Sequence, residues 1–307
     1  MQDIGASRAF RGSDDLVLMK RLVSTSWRLG RPHVNMTVGD LEWWTINDTE
    51  IVLADVARIW ERGGHAIGWE WADPPGGVDW HTLPGEVLAP HFTSMLDRLE
   101  ERAAATSDDP GLATKVWAMD SNDAALTLLA ERGYAADGTS LTHWIRALPR
   151  SGGSPVEIPC LPAGYRRGHA RWPDGVADRV EAHRAAFAPS RMTVAKYSLL
   201  AERPHYAPER DRVILAPDGS IAAFANAWWD PDGEVGELEP VGTRPEHRRL
   251  GLARAACLDA IAALAELGAR EVLIFSDPSS AAAAALYASL GARPLTTSRR
   301  YARKVRP

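Results

Sequence analysis

Glu237 and Glu239 lie two residues apart in a run, 234–242, that reads as a strand, so their side chains share one face. A carboxylate beside a cleft can take the proton of an ammonium group, directly or through water. Shortly after comes Arg248-Arg249-Leu250-Gly251-Leu252-Ala253-Arg254, a loop that opens a helix. Gly251 and Ala253 have minimal side chains, so backbone can approach a ligand closely. The amides of 248–253 point at whatever occupies the helix N-terminus, a geometry that suits an anion and pyrophosphate in particular. Arg248, Arg249 and Arg254 add positive charge. Each feature alone also fits solvated surface.

Strands and helices must hold these residues. In the second half, 174–187 reads as a helix. Strands at 212–216 and 221–229 flank the turn Pro217-Asp218-Gly219-Ser220. A helix at 254–267, a strand at 270–275, a helix at 280–290 and a last strand at 301–305 follow. In the first half, 16–27 reads as a helix, and 66–72 and 78–83 flank the hairpin signal Asp73-Pro74-Pro75-Gly76-Gly77. Residues 92–105 read as the helix equivalent to 254–267. Residues 113–134 and 271–292 repeat one pattern at an offset of 158, pairing Val116 with Ile274, Leu128 with Leu286, Leu129 with Tyr287 and Gly133 with Gly291. That is a domain-sized duplication. The cluster Pro149-Arg150-Ser151-Gly152-Gly153-Ser154-Pro155 reads as a linker. The expected division is therefore 1–148, a linker at 149–156, and 157–307.

Composition narrows the classes. The chain of 307 residues is 45% hydrophobic and 24% charged, as for a globular protein of two domains. A net charge of -5 argues against a nucleic-acid partner, which needs a basic face. No apolar run approaches the ~20 residues that span a bilayer, and the N-terminus shows no signal peptide. Cys160 and Cys257 form no disulfide or metal framework, and no His has metal-ligand spacing. The expectation is a cytoplasmic protein with no metal, no membrane and no nucleic acid.

Arg248-x-x-Gly251-x-Ala253, the strand leading into it, Pro245, and Leu286-Tyr287-x-x-x-Gly291 together resemble the GNAT acetyltransferase superfamily. The likeness covers 160–305 well and the first half in its last third. It implies an α+β (α/β) fold of two GNAT-like domains in tandem, each a twisted, mostly antiparallel sheet flanked by helices. A splayed pair of strands would admit the pantetheine arm. It further implies an acetyl-CoA-dependent N-acetyltransferase that transfers directly to a small amine in a ternary complex. Acetyl-CoA would lie on Val241, Gly242, Thr243, Arg248, Arg249, Leu250, Gly251, Leu252 and Ala253. Ser280 stands where many relatives contact CoA through Asn, although capping its helix is the simpler role. Glu237 or Glu239 would be the base, with Glu237 first, and Tyr287 the acid that protonates the leaving thiolate. Pro240 has no N–H, so an oxyanion donor would be the amide of Val241 or a neighbour.

The first half departs from this pattern. An offset of 162 sets Glu86 opposite Arg248, Ala89 opposite Gly251 and Pro90-His91 opposite Leu252-Ala253. An acid and a proline there disfavour phosphate. This half is expected to be degenerate. Trp228, Trp229 and Asp230 read as a strand end near the cleft; Asp40-Leu41-Glu42-Trp43-Trp44 and Trp69-Glu70-Trp71 read as strands first and cleft lining second. The competing class is a non-catalytic CoA-binding or protein-interaction module. Within the enzyme class, mycothiol-synthase-like and antibiotic-amine acceptors stand as alternatives. The assembly is expected to be a monomer with pseudo-dimeric halves or a homodimer.

Overall fold

A computed structural model describes residues 6–30, 34–47, 51–86, 88–106, 111–149 and 156–305. Most of the expected linker lies outside them. The first elements are β1 (Ala6–Ala9), α1 (Ser13–Arg28), α2 (Val38–Asn47), α3 (Leu53–Val56), β2 (Ala57–Arg62), β3 (His65–Asp73), β4 (Gly77–Thr82), α4 (Ala89–Thr106), β5 (Ala113–Met119), α5 (Asp123–Glu131) and β6 (Ala135–Ala147). There follow β7 (Arg166–His169), α6 (Val176–Ala186), α7 (Val194–Ser198), β8 (Asp211–Leu215), β9 (Ile221–Asp230), β10 (Val235–Thr243), α8 (Leu252–Glu266), β11 (Glu271–Ser276), α9 (Ala281–Ser289) and β12 (Arg293–Lys304).

The chain divides into two compact units. One comprises 1–35, 50–143 and 296–307; the other comprises 36–49 and 144–295. A division at 148 and 157 assigns three segments differently, because 36–49 and 144–148 group with the second unit and 296–307 with the first. In the first unit, β1 to β4 form an antiparallel meander, β4 runs parallel to β5, and Ser298–Lys304 of β12 pairs antiparallel with β5. Its core gathers Trp60, Trp80, Phe92, Met95, Leu96 and Leu129.

In the second unit, β7 to β10 are antiparallel neighbours and β10 runs parallel to β11. β9 is buried along nearly its whole length, as a central strand covered on both faces must be. The alanine-rich α8 packs Ala256, Leu258, Ile261 and Leu264 against it.

Two sequence expectations change. Residues 40–44, read as a strand, belong to helix α2. The buried positions Val38, Leu41 and Ile46 recur at helical rather than alternating spacing. The Thr37 hydroxyl accepts the N–H of Gly39, and the Asp40 carboxylate accepts the N–H of Thr37. This is a capping box written as Thr-x-x-Asp, a start signal that period-two reading passes over. Gly39 is needed because a Cβ there would fall 2.4 Å from Cγ of Trp228. The last strand is longer than 301–305, since pairing with β5 begins at Ser298.

Candidate active site

The site forms where β10 parts from β11. Their parallel pairing covers Val235–Glu237 opposite Glu271–Leu273 and goes no further along β10. Between Leu238 and Val241 the register with β9 also shifts, so β10 bulges. The carbonyl of Glu239, freed from the ladder, accepts from Asn226 Nδ2 at 2.8 Å and from Trp228 Nε1 at 2.9 Å. The bulge is thereby fixed and the Glu239 side chain aimed.

Three carboxyl groups meet here. Glu237 is fully buried, and its Oε2 accepts the hydroxyl proton of Thr37. Oxygens of Asp40, Glu237 and Glu239 lie within 4.8 Å of one another. Burial, then Asp40 and Glu239, push the Glu237 carboxyl well above the usual range. Burial pushes Glu239 up to about 7. The cause is simple: carboxylates this close, away from water, cannot all be charged, so the trio holds protons at neutral pH. Among the described residues this trio also has the spacing that would suit a metal ion. Thr37 and Asp40 come from the 36–49 segment; the sequence reading passed over Thr37 and gave Asp40 cleft lining only as its second reading.

Glu239 lines a cavity of about 360 Å³ together with Pro240, Val241, Phe275 and Tyr287; Trp43, His183, Phe187, Arg191 and Met192 also line it. Glu237 is not among the lining residues. Tyr287 is buried on α9, its ring edge-on to Trp144 at 6.1 Å. Burial, Cys257 and Glu239 all raise its phenol pKa, so it keeps its proton throughout the working range. Burial, then Arg179, lowers His183 to about 4, which makes it a neutral wall residue. Its Nδ1 lies 3.2 Å from the Ser190 hydroxyl. Trp228 is buried and Trp229 partly buried, so neither serves as an open platform.

Beyond β10 the backbone turns sharply. Arg249 and Gly251 are both left-handed, at φ 66° and 75°. Only glycine adopts this freely, and at Arg249 it is a local strain. Gly251 caps α8 with no side-chain cap, so the first-turn N–H groups stay open to an anion. Arg248 and Arg249 are exposed beside it. Arg146, on β6, is a further cation the sequence reading missed. Burial and then Arg254 lower its pKa, and its Nη1 is buried with no partner. Two guanidiniums held this close mark a place where an anion is stabilising. Ser280 accepts the N–H of Ala283 at 3.3 Å, so its hydroxyl caps α9.

The first unit has diverged at the corresponding strands. Its parallel pairs are Gly77 with Lys115 and Val78 with Val116. Matching Lys115 to Leu273 by the 158 offset sets Gly77 in the place of Glu237, Asp79 in that of Glu239 and Trp80 in that of Pro240. Trp80 Nε1 donates to the Trp117 carbonyl at 2.9 Å, tying together the two strands that part in the second unit. A cavity of about 290 Å³ nearby is lined by Glu86 and Asp123 but by no Lys or Arg.

These groups predict how stability responds to pH. Burial lowers His81, His143 and His183 to about 4. Their unfolded forms bind protons that the folded forms refuse, so stability rises with pH between about 4 and 6.5. Glu237 and Glu239 have the opposite sign. The folded state holds protons that the unfolded chain releases above about pH 4.5, so their contribution is lost from there upward, through about 7 for Glu239 and beyond for Glu237. Below about 6.5 the gain from the three histidines exceeds this loss, and above it the loss stands alone. Melting temperature should peak near pH 6.5. Glu237→Gln, neutral at every pH, should flatten the alkaline limb; an unchanged limb would refute the burden placed on Glu237.

Comparison with known proteins follows from this geometry. The acetyltransferase (GNAT) family model matches residues 176–292. A mycothiol acetyltransferase of Kineococcus radiotolerans is 30% identical over 258 residues, covering 82% of this chain and 78% of that protein. A GCN5-related N-acetyltransferase from Sphaerobacter thermophilus superposes with a TM-score of 0.71 at 18% identity, covering 100% of this chain and 98% of the other. A tandem GNAT protein from the clavulanic acid biosynthesis pathway gives 0.67 at 13% identity, covering 99% of each.

Proposed function

The chain is a tandem member of the GNAT acetyltransferase family and an N-acetyltransferase, and on that premise we propose that its second unit transfers an acetyl group from acetyl-CoA to a small primary amine. The observation that carries this reading is one cavity with a carboxyl group, Glu239, and a protonated phenol, Tyr287, on its wall. It opens where β10 leaves β11, just ahead of the uncapped, arginine-flanked start of α8.

When bound, acetyl-CoA supplies an activated acetyl thioester. The chain's residues do the rest. The open amides of 248–253, with Arg248, Arg249 and Arg254, hold the pyrophosphate. Arg146 adds charge beside Arg254. Val241 and Gly242 run beside the gap between β10 and β11, and their backbone positions the arm. Thr243 starts the turn into the loop. Glu239, half-ionised near neutral pH, takes the ammonium proton as the amine enters. Glu237, fully buried beside Asp40 and Glu239, keeps its proton against the opposing effect of the Thr37 hydroxyl it accepts, and sets the charge of the trio. The Val241 amide is placed to stabilise charge on the thioester oxygen. Tyr287 gives its proton to the departing sulfur. Holding both substrates in one cavity contributes several kcal/mol by removing the entropy of encounter. The first unit, with Trp80 tying its strands together and no Lys or Arg lining the cavity beside it, takes no acetyl-CoA. The relatives' name makes a mycothiol-type acceptor the second reading within this class.

Titration calorimetry tests the assignment. Acetyl-CoA should bind with one site per chain. Gly251→Glu should weaken it by at least about 10-fold, because a side chain at φ 75° strains the turn and a carboxylate opposes phosphate. Two equal sites, or binding unmoved by the substitution, would place the co-substrate elsewhere.

A further inference from the structure

We infer that the acceptor carries an anionic group beside its amine, and that Arg191 at the cavity wall recognises it. The inference rests on the proposed function and names the substrate class of that site. The cavity lining carries both signs of charge. Glu239 lines it, with Asp40 and Glu237 close to Glu239, the attractive partners for an ammonium group. Arg191 also lines it, is exposed, and forms no ion pair among the described residues. The stretch 184–201 around it contains Arg184, Arg191 and Lys196 and no acidic residue, in a chain whose net charge is -5.

The cavity therefore has a polarity that a simple alkylamine would leave unused. A guanidinium presents a fork of donors that matches a carboxylate or phosphate. Trp43 and Met192 add apolar lining for a short spacer, and His183 adds no charge because it stays neutral. Arg191 belongs to the α6–α7 connection, whereas the phosphate loop lies after β10. This separates its role from that of Arg248 and Arg249.

Thiol release measured against matched acceptors tests this. The pairs are 4-aminobutyrate with 1-aminobutane, and glucosamine 6-phosphate with glucosamine. Each is run with the unaltered protein, Arg191→Gln and Arg191→Lys. The anionic member of at least one pair should be preferred roughly 10- to 100-fold in kcat/KM, the range of a charge-assisted hydrogen bond. The pair that responds tells carboxylate from phosphate. Arg191→Gln should erase the preference by raising acceptor KM, leaving kcat with neutral amines and the KM for acetyl-CoA unchanged; Arg191→Lys should restore part of it. Transfer without preference for an anion overturns the inference and leaves the proposed function standing. So does a preference that survives Arg191→Gln, or a rise in the KM for acetyl-CoA instead. No transfer to any amine overturns both.

Discussion

Glu239→Gln should lower kcat/KM for the acceptor by roughly 10²- to 10⁴-fold, the usual worth of a positioned general base. Glutamine keeps the shape and the backbone bonds from Asn226 and Trp228 to the residue-239 carbonyl, so the bulge survives. What it loses is the ability to accept a proton. The pH profile separates this role from simple electrostatics. With the native residue, activity should rise with pH through an apparent pKa near 7, as burial sets for Glu239. That limb should vanish in the variant. Glu237→Gln is the necessary control, because the sequence alone ranked Glu237 first. Glu237 lies behind the wall with its proton already engaged, so its replacement should leave the limb in place. If Glu237→Gln abolishes activity and Glu239→Gln does not, proton transfer runs through a water to Glu237 and the assignment reverses.

That ordering shows what the sequence carried and what it could not. The alternation that sets Glu237 and Glu239 on one face is a local property, legible from a two-residue spacing. Which of them meets the cavity depends on the bulge at 238–241 and on how far β11 follows β10, and no spacing encodes either. The turn at 248–251 before α8, the duplication and the helix bearing Tyr287 were legible for the same reason: each lies within one stretch of contiguous chain. Thr37 was missed, and Asp40 read first as a strand residue, because the contact of this segment with Glu237 spans about 200 residues of chain. Their local signal, the capping box, announces a helix and says nothing of its destination. The aromatic-rich stretch 40–44 misled further, since tryptophans suit strands, whereas the chain here winds into α2 behind the Thr37–Asp40 cap. Arg146 lay hidden for a similar reason: an arginine on a strand looks solvated until Arg254 is found beside it.

Tyr287→Phe should cost kcat about 10²-fold or more while acetyl-CoA affinity and melting temperature stay near their native values. Phenylalanine keeps the ring and its edge-on packing against Trp144, and removes only the hydroxyl. The phenol is suited to donating because burial, Cys257 and Glu239 all hold its proton on. A departing thiolate needs such a donor in a site that excludes water. If the variant retains kcat within about threefold, then solvent or the acceptor's own proton does this work and Tyr287 is a packing residue. The double variant Glu239→Gln, Tyr287→Phe tests whether the two act as a unit. Residues that act as one unit are strongly non-additive, so the pair should cost little more than the worse single change; defects that multiply would show that base and acid contribute independently.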